Sequence, residues 1–175
     1  MEKKKILLIQ TSLNAESKTA LLVEEAKKEL DKKEFETEIL DLRNYSLQFC
    51  KGTGIETYNE DMQTIFRKVQ EAQAYIFAFP VYNFSFSGVA KNFIDIFSYA
   101  MDSKVCALMQ NSGGERSFLL GIAELSMILK MHNNIDVINE VVHSSQGDFD
   151  GTVLVQEKVK EKLVAMADAM EKKLL

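Results

Sequence analysis

Three short runs, ILLI (6–9), YIFAF (75–79) and VCALM (105–109), are apolar at every position. A strand of that kind needs cover on both faces, the situation of a parallel sheet with helices above and below it. Helical patterns fall between the runs. Residues 17–33 read as a helix. Met62, Ile65, Phe66 and Val69 have the i, i+3, i+4, i+7 spacing of another. Further helices are expected over about 87–101 and 116–130. Val155, Val159, Leu163, Met166, Met170 and Leu174 mark a long closing helix. Two more strands are expected. FETEILDL (35–42) alternates, with Glu36 and Glu38 on one side, and IDVINEVV (135–142) mixes polar with apolar residues. Both suit edges, so the three apolar runs belong in the middle. With right-handed crossovers the order is 2-1-3-4-5 in an α/β three-layer sandwich with a five-stranded parallel sheet.

That strand order is the flavodoxin-like one, with its switch point between strands one and three. At 175 residues the chain is expected to form one domain, 1–175. Net charge is −5 and the only basic run, Lys3 to Lys5, leads straight into a strand, which argues against nucleic acid. No apolar stretch approaches the roughly 18 residues of a membrane helix, and the N-terminus has no small-residue cleavage site, so no signal peptide is expected. Cys50 and Cys106 fit a reducing cytoplasm. With His132 and His143 they are scattered singly, without zinc-site spacing, and Cys106 is expected in the core.

Ligands of such sheets lie outside the carboxyl ends of the strands near the switch point. This singles out the loops after strands one, three and four. The first, QTSLNAESKT (10–19), offers Thr11, Ser12, Asn14, Ser17 and Thr19 just before a helix begins. A helix N-terminus, with its free N–H groups and partial positive charge, suits a phosphate. The stretch ends in SKT but lacks the glycines of a P-loop, which argues against a nucleotide triphosphate. Plain capping by Ser17 would use the same residues without a ligand. The second loop follows Pro80, the only proline, which is expected to end its strand. Tyr82 and Phe84 could present flat rings to a flat ligand, and backbone groups from Val81 to Phe84 could address its polar edge. An aromatic core turn with Asn83 bonding locally is the alternative. The third loop, QNSGGERS (110–117), has Gly113 and Gly114, whose successive N–H groups could form an anion-stabilising nest, or simply a turn.

On these residues the chain resembles the NADPH-dependent FMN reductase family, and the resemblance covers nearly the whole chain. Ser12, Ser17 and Thr19 match the family's G-S-x-R-x-x-S-x-T loop. Pro80, Tyr82, Asn83 and Ser85 match P-x-Y-N-x-S, and Gly88, Lys91, Asn92, Ile94 and Asp95 match the helix that follows. Asn14 stands where the family usually has arginine, and Gln10–Thr11 replaces a glycine-containing approach, which leaves Lys18 as the cation of this stretch. LQFCKGTG (47–54) resembles iron–sulfur flavoproteins, but Cys50 stands alone and no cluster is assigned.

The resemblance implies an FMN-dependent NAD(P)H oxidoreductase that passes electrons to a flavin, quinone or other small acceptor by ping-pong kinetics. FMN phosphate would rest on Thr11, Ser12, Asn14, Ser17, Lys18 and Thr19. Its ring would lie along Pro80, Val81, Tyr82, Asn83, Phe84 and Ser85, facing Asn111, Ser112, Gly113 and Gly114. The cofactor performs the chemistry, so no catalytic side chain and no metal site is assigned. A flavodoxin-type electron carrier is the main rival, although the T-x-T-G-N-T-like loop of that class is absent. A flavin-free regulatory or interaction module on the same fold is a further one. The helix from about Gly88 to Met101 is apolar over a wide arc, with Lys91, Asp95, Ser98 and Asp102 as its solvated stripe. The excess predicts an interface with Phe93, Phe97 or Met101 as anchors, and the resemblance implies a homodimer or homotetramer.

Overall fold

The computed structural model describes residues 3–114 and 120–175. Its main strands are β1 (Lys4–Gln10), β2 (Phe35–Asp41), β3 (Ala74–Tyr82), β4 (Ser85–Phe86), β5 (Val105–Ser112), β6 (Asp136–Val137) and β7 (Val142–Ser145). The helices are α1 (Lys18–Asp31), α2 (Glu60–Glu71), α3 (Gly88–Phe97), α4 (Leu120–Asn133) and α5 (Glu157–Leu174). A small hairpin, β8 (Phe149–Asp150) with β9 (Val153–Leu154), stands apart from the main sheet. The order β2-β1-β3-β5-β6 runs parallel throughout, as the apolar patterns predict.

The alternation of side chains along the inner strands sorts the core into two halves. Leu7 and Ile9 of β1, with Tyr75, Phe77 and Phe79 of β3, face α2, α3 and α4. Ile6 and Leu8, with Ala74, Ile76 and Ala78, face α1 and α5. On β3, then, the aromatic rings fill one side, and the alanines on the other let the helices lie close.

Three expectations need correction. The fifth strand is in two pieces: Val141 N–H donates to the Asn139 carbonyl, and this tight turn breaks the run between β6 and β7, which pair separately with β5. Pro80 does not end its strand but lies within β3, opposite Asn111. Ala78 bonds toward β1, so by alternation position 80 faces that side too, and β1 pairs with β3 only as far as Ala78. The missing N–H therefore falls where the ladder has run out. Ser98, expected in a solvated stripe, is buried; Lys91 and Asp95 are an exposed ion pair at 2.6 Å. Residues 116–119 of the predicted fourth helix lie outside the described residues. Cys106 is buried, as expected, and burial pushes its thiol up to about 12.

Candidate functional site

The carboxyl ends of β1, β3 and β5 meet at a crevice of about 380 Å³, within the roughly 300–1,000 Å³ range of ligand pockets. Ser12, Asn14, Ser17, Lys18 and Thr19 line it from the first loop. Pro80, Val81 and Tyr82 line it from β3, and Asn111, Ser112 and Gly113 from the end of β5. All three loops singled out by topology thus reach one place.

Ser17 is the N-cap of α1, its Oγ accepting from Ala20 N–H at 3.1 Å. Capping and ligand binding are not exclusive, because the hydroxyl proton is still available as a donor. Ser12, Ser17 and Thr19 are all buried although they line the crevice. A Cβ added at Gly113 or Gly114 would meet no atom within 4 Å, so no packing contact dictates glycine there. Ser112 Oγ donates to the Gly114 carbonyl at 2.7 Å and fixes the turn.

Several expected contacts lie elsewhere. Thr11 does not line the crevice: its hydroxyl and its N–H both go to the Ala78 carbonyl, extending the β1–β3 ladder by one step. Lys18 Nζ donates to the Gly151 carbonyl, and lies 5.4 Å from the centre of the Phe149 ring. Asn83 and Phe84 are the two central residues of a tight hairpin, with Tyr82 paired to Ser85. Both have positive φ, 50° and 68°, as a type I′ turn requires. Ser85 Oγ ties the hairpin to α4 by donating to Glu124 Oε2 at 2.6 Å. Asn83, Phe84, Ser85 and Gly114 are not among the crevice-lining residues.

Asparagine tolerates the left-handed region, but a bulky phenylalanine there is strained by roughly 1–2 kcal/mol. Phe84 is also exposed, so its ring adds little to the core. Phe84→Gly should relieve that strain, less about 0.5–1 kcal/mol of added chain entropy in the unfolded state. The expected net gain is about 0.5–1 kcal/mol, read by urea denaturation. A loss of stability would mean that the phenylalanine is held by packing.

Comparison with known proteins assigns the chain to a family. A sequence model described as NADPH-dependent FMN reductase matches residues 4–148. The chain belongs to the NADPH-dependent FMN reductase family. As a member it is an NAD(P)H-dependent flavin oxidoreductase with FMN as cofactor. The chain is 28% identical over 154 residues to an NAD(P)H-dependent FAD/FMN reductase of Geobacillus thermodenitrificans, covering 86% of this chain and 83% of that protein. It is 32% identical over 115 residues to an FMN-dependent NADPH-azoreductase of Staphylococcus saprophyticus, covering 62% of this chain and 60% of that one. Among solved structures, the apo form of an NADH:FMN oxidoreductase superposes with a TM-score of 0.82 over 99% of this chain and 91% of that one, at 18% identity. That likeness supports the flavodoxin-like fold.

For an FMN reductase, this crevice offers a chemically suitable seat: hydroxyls and a helix N-terminus at one end, and a proline–tyrosine wall opposite a glycine turn at the other. Two of its lining residues, Glu16 and Gln146, were not singled out from sequence. Gln146 follows β7, and a loop after any strand at this end of the sheet is a candidate. The fifth-strand pattern, read as ending at 142, left its true end at Ser145 out of view.

Proposed function

We propose that FMN binds in this crevice with its phosphate toward α1 and its ring along β3. The observation that carries the reading is the group of buried hydroxyls, Ser12, Ser17 and Thr19, at the N-terminus of a 14-residue helix. When bound, FMN would supply the redox chemistry that links the nicotinamide to the acceptor. The chain's part is to bind and orient. Ser12, Ser17 and Thr19 hold the phosphate, helped by the positive end of α1. Val81 and Tyr82 support the ring, with Tyr82 half exposed at the crevice mouth. Backbone N–H groups about Gly113 favour negative charge on the reduced ring, as preorganised donors do. Asn111 and Ser112 complete that side.

We place the enzyme in the cytoplasm as a single-domain subunit of a homodimer or homotetramer, acting on a small-molecule acceptor. Two free cysteines support a reducing compartment. Among the described residues no helix is long and apolar enough to cross a membrane. The predicted anchors Phe93, Phe97 and Met101 are buried, whereas Leu120, Met127 and Met131 of α4 are exposed and lie along a groove of about 760 Å³ shared with Ile94 of α3. A second copy covering this face would also brace the hairpin that Glu124 holds.

The test is to denature the purified, FMN-soaked protein and identify the released flavin, then titrate the loaded protein anaerobically with NADH and NADPH. FMN release and bleaching of the flavin absorbance are expected, with steady oxidation of the nicotinamide once a quinone is added. Retention of FAD with no affinity for FMN would sink the assignment. Bleaching without turnover on any small acceptor would favour a carrier.

A further inference from the structure

The loop that lines the phosphate end of the crevice is held from behind by one carboxylate. Gln10 and Asp41, the last residues of β1 and β2, are register partners. Gln10 is fully buried; its Nε2 donates to the Ser12 carbonyl and to Asp41 Oδ1, both at 3.0 Å, while Ser12 N–H donates to Gln10 Oε1. On the other side of the same carboxylate, Arg43 Nε lies 3.0 Å from both Asp41 oxygens and Nη2 lies 2.5 Å from Oδ2. The remaining arm, Nη1, donates to the Ala15 carbonyl at 3.1 Å and to the Asn14 carbonyl at 3.4 Å. Asp41 therefore pins Ser12 through Gln10, and residues 14–15 through Arg43.

Arg43 does not line the crevice. It lines a neighbouring cleft that shares Glu16, Ser17 and Lys18 with it, so any influence on a crevice ligand passes through the loop. Peptide planarity says what that influence is. In a trans peptide the N–H points opposite the C=O, so carbonyls of Asn14 and Ala15 drawn to Arg43 turn their partner amides away from it. The Glu16 amide donates to Asn14 Oδ1 at 2.9 Å, which places that side chain within the loop as well. Burial pushes Asp41 upward in pKa, but its bonds to Arg43 and Gln10 outweigh this and hold it below the usual carboxylate range. The carboxylate is thus ionised and matched by a guanidinium close to a loop that must accept an anion.

We propose that Arg43 is a positioning residue for the phosphate of the flavin: anchored on Asp41, its fork draws the Asn14 and Ala15 carbonyls back and keeps the loop shaped for an anion. The inference rests on the FMN reading above, and it concerns the phosphate alone. Riboflavin, which has the same ring and no phosphate, is therefore the control.

The experiment is to titrate flavin-free protein with FMN and with riboflavin by fluorescence quenching, alongside a thermal melt. Arg43→Ala is expected to weaken FMN about tenfold while riboflavin changes by less than about twofold. Arg43→Lys is expected to remain weak for FMN, because an ammonium cannot span a carboxylate and two carbonyls as a planar fork does. If Arg43→Ala does not fold, Arg43→Gln carries the same comparison. FMN affinity equal to wild type in Arg43→Ala overturns the proposal. So does equal weakening of both flavins, which would make the residue merely structural, or full recovery by lysine. A wild-type protein that takes neither flavin removes the FMN reading itself, and this inference with it, a result distinct from the other three.

Discussion

Phe97→Ala is expected to lower the free energy of unfolding by about 3–5 kcal/mol, the usual cost of emptying a large aromatic site in a core. Phe97 is 1% exposed, and its ring lies 4.8 Å from that of Phe93, which in turn meets Phe77 of β3 edge-on at 5.5 Å. These rings form a continuous path from the sheet into α3. Truncating the outer ring removes its burial and the aromatic pair with Phe93, itself worth about 0.5–1.5 kcal/mol. Phe97→Glu should be worse, since it buries an unpaired charge among apolar side chains. On the neighbouring helix, Met131 is 82% exposed, and Met131→Glu should change subunit stability by less than about 0.5 kcal/mol. If two subunits pair over this face as proposed, it should nonetheless shift the species in solution from dimer to monomer. Urea denaturation and sedimentation velocity on the same samples separate the two effects. A folded Phe97→Glu with a native circular dichroism spectrum would mean that α3 does not pack as described. An unchanged mass for Met131→Glu, in a protein whose wild type is a dimer, would move the interface off α4.

The contrast between these positions bears on what the sequence makes legible. The three apolar runs predict the middle of the sheet because full burial leaves no room for a polar residue; β1, β3 and β5 follow them closely. Glu38 on β2 reads as an edge residue, and it lies there between Lys5 and Lys68. The width of an apolar arc is a weaker guide. α3 carries apolar residues beyond one stripe because it packs on the sheet and also against neighbouring elements, so Phe93 and Phe97, with Met101 in the turn just after the helix, are consumed within the subunit. Periodicity counts apolar side chains but does not count the elements available to cover them. Leu120, Met127 and Met131 show the converse: they are ordinary members of an apolar helix pattern, and only the placement of α4 leaves them outside.

The crevice was legible for a different reason. Topology fixes where loops must converge, so Ser12, Ser17, Pro80, Tyr82 and Gly113 could be brought together from strand order alone. Which hydroxyls face the crevice could not. Thr11 and Ser12 are adjacent, but an extended chain turns successive side chains to opposite sides, and the carbonyl that takes Thr11 belongs to another strand. Nor could the brace behind the loop be seen, since Gln10 meets the local Asp41–Arg43 pair only through the pairing of β1 with β2.

Ser17→Asp should separate the two roles of one hydroxyl, with effects of opposite sign. As N-cap, Ser17 accepts from Ala20 N–H, and aspartate is as good a cap as serine. A carboxylate also interacts favourably with the positive end of α1, by about 0.3–1 kcal/mol. Flavin-free Ser17→Asp should therefore be as stable as the wild type or slightly more so, whereas Ser17→Ala should lose about 0.5–2 kcal/mol. FMN affinity should move the other way. The new carboxylate would stand in the crevice where the phosphate is to sit, and two like charges about 4 Å apart repel by about 4 kcal/mol at an effective dielectric of 20. That corresponds to roughly a thousandfold loss in FMN affinity. Riboflavin, without the second charge, should lose far less. Thermal melts of the flavin-free proteins and dissociation constants for both flavins at low and high salt decide the matter. Salt should narrow the gap between them, because the repulsion is electrostatic. If Ser17→Asp kept its FMN affinity, the phosphate could not lie at the start of α1, and Ser17 would be a cap alone.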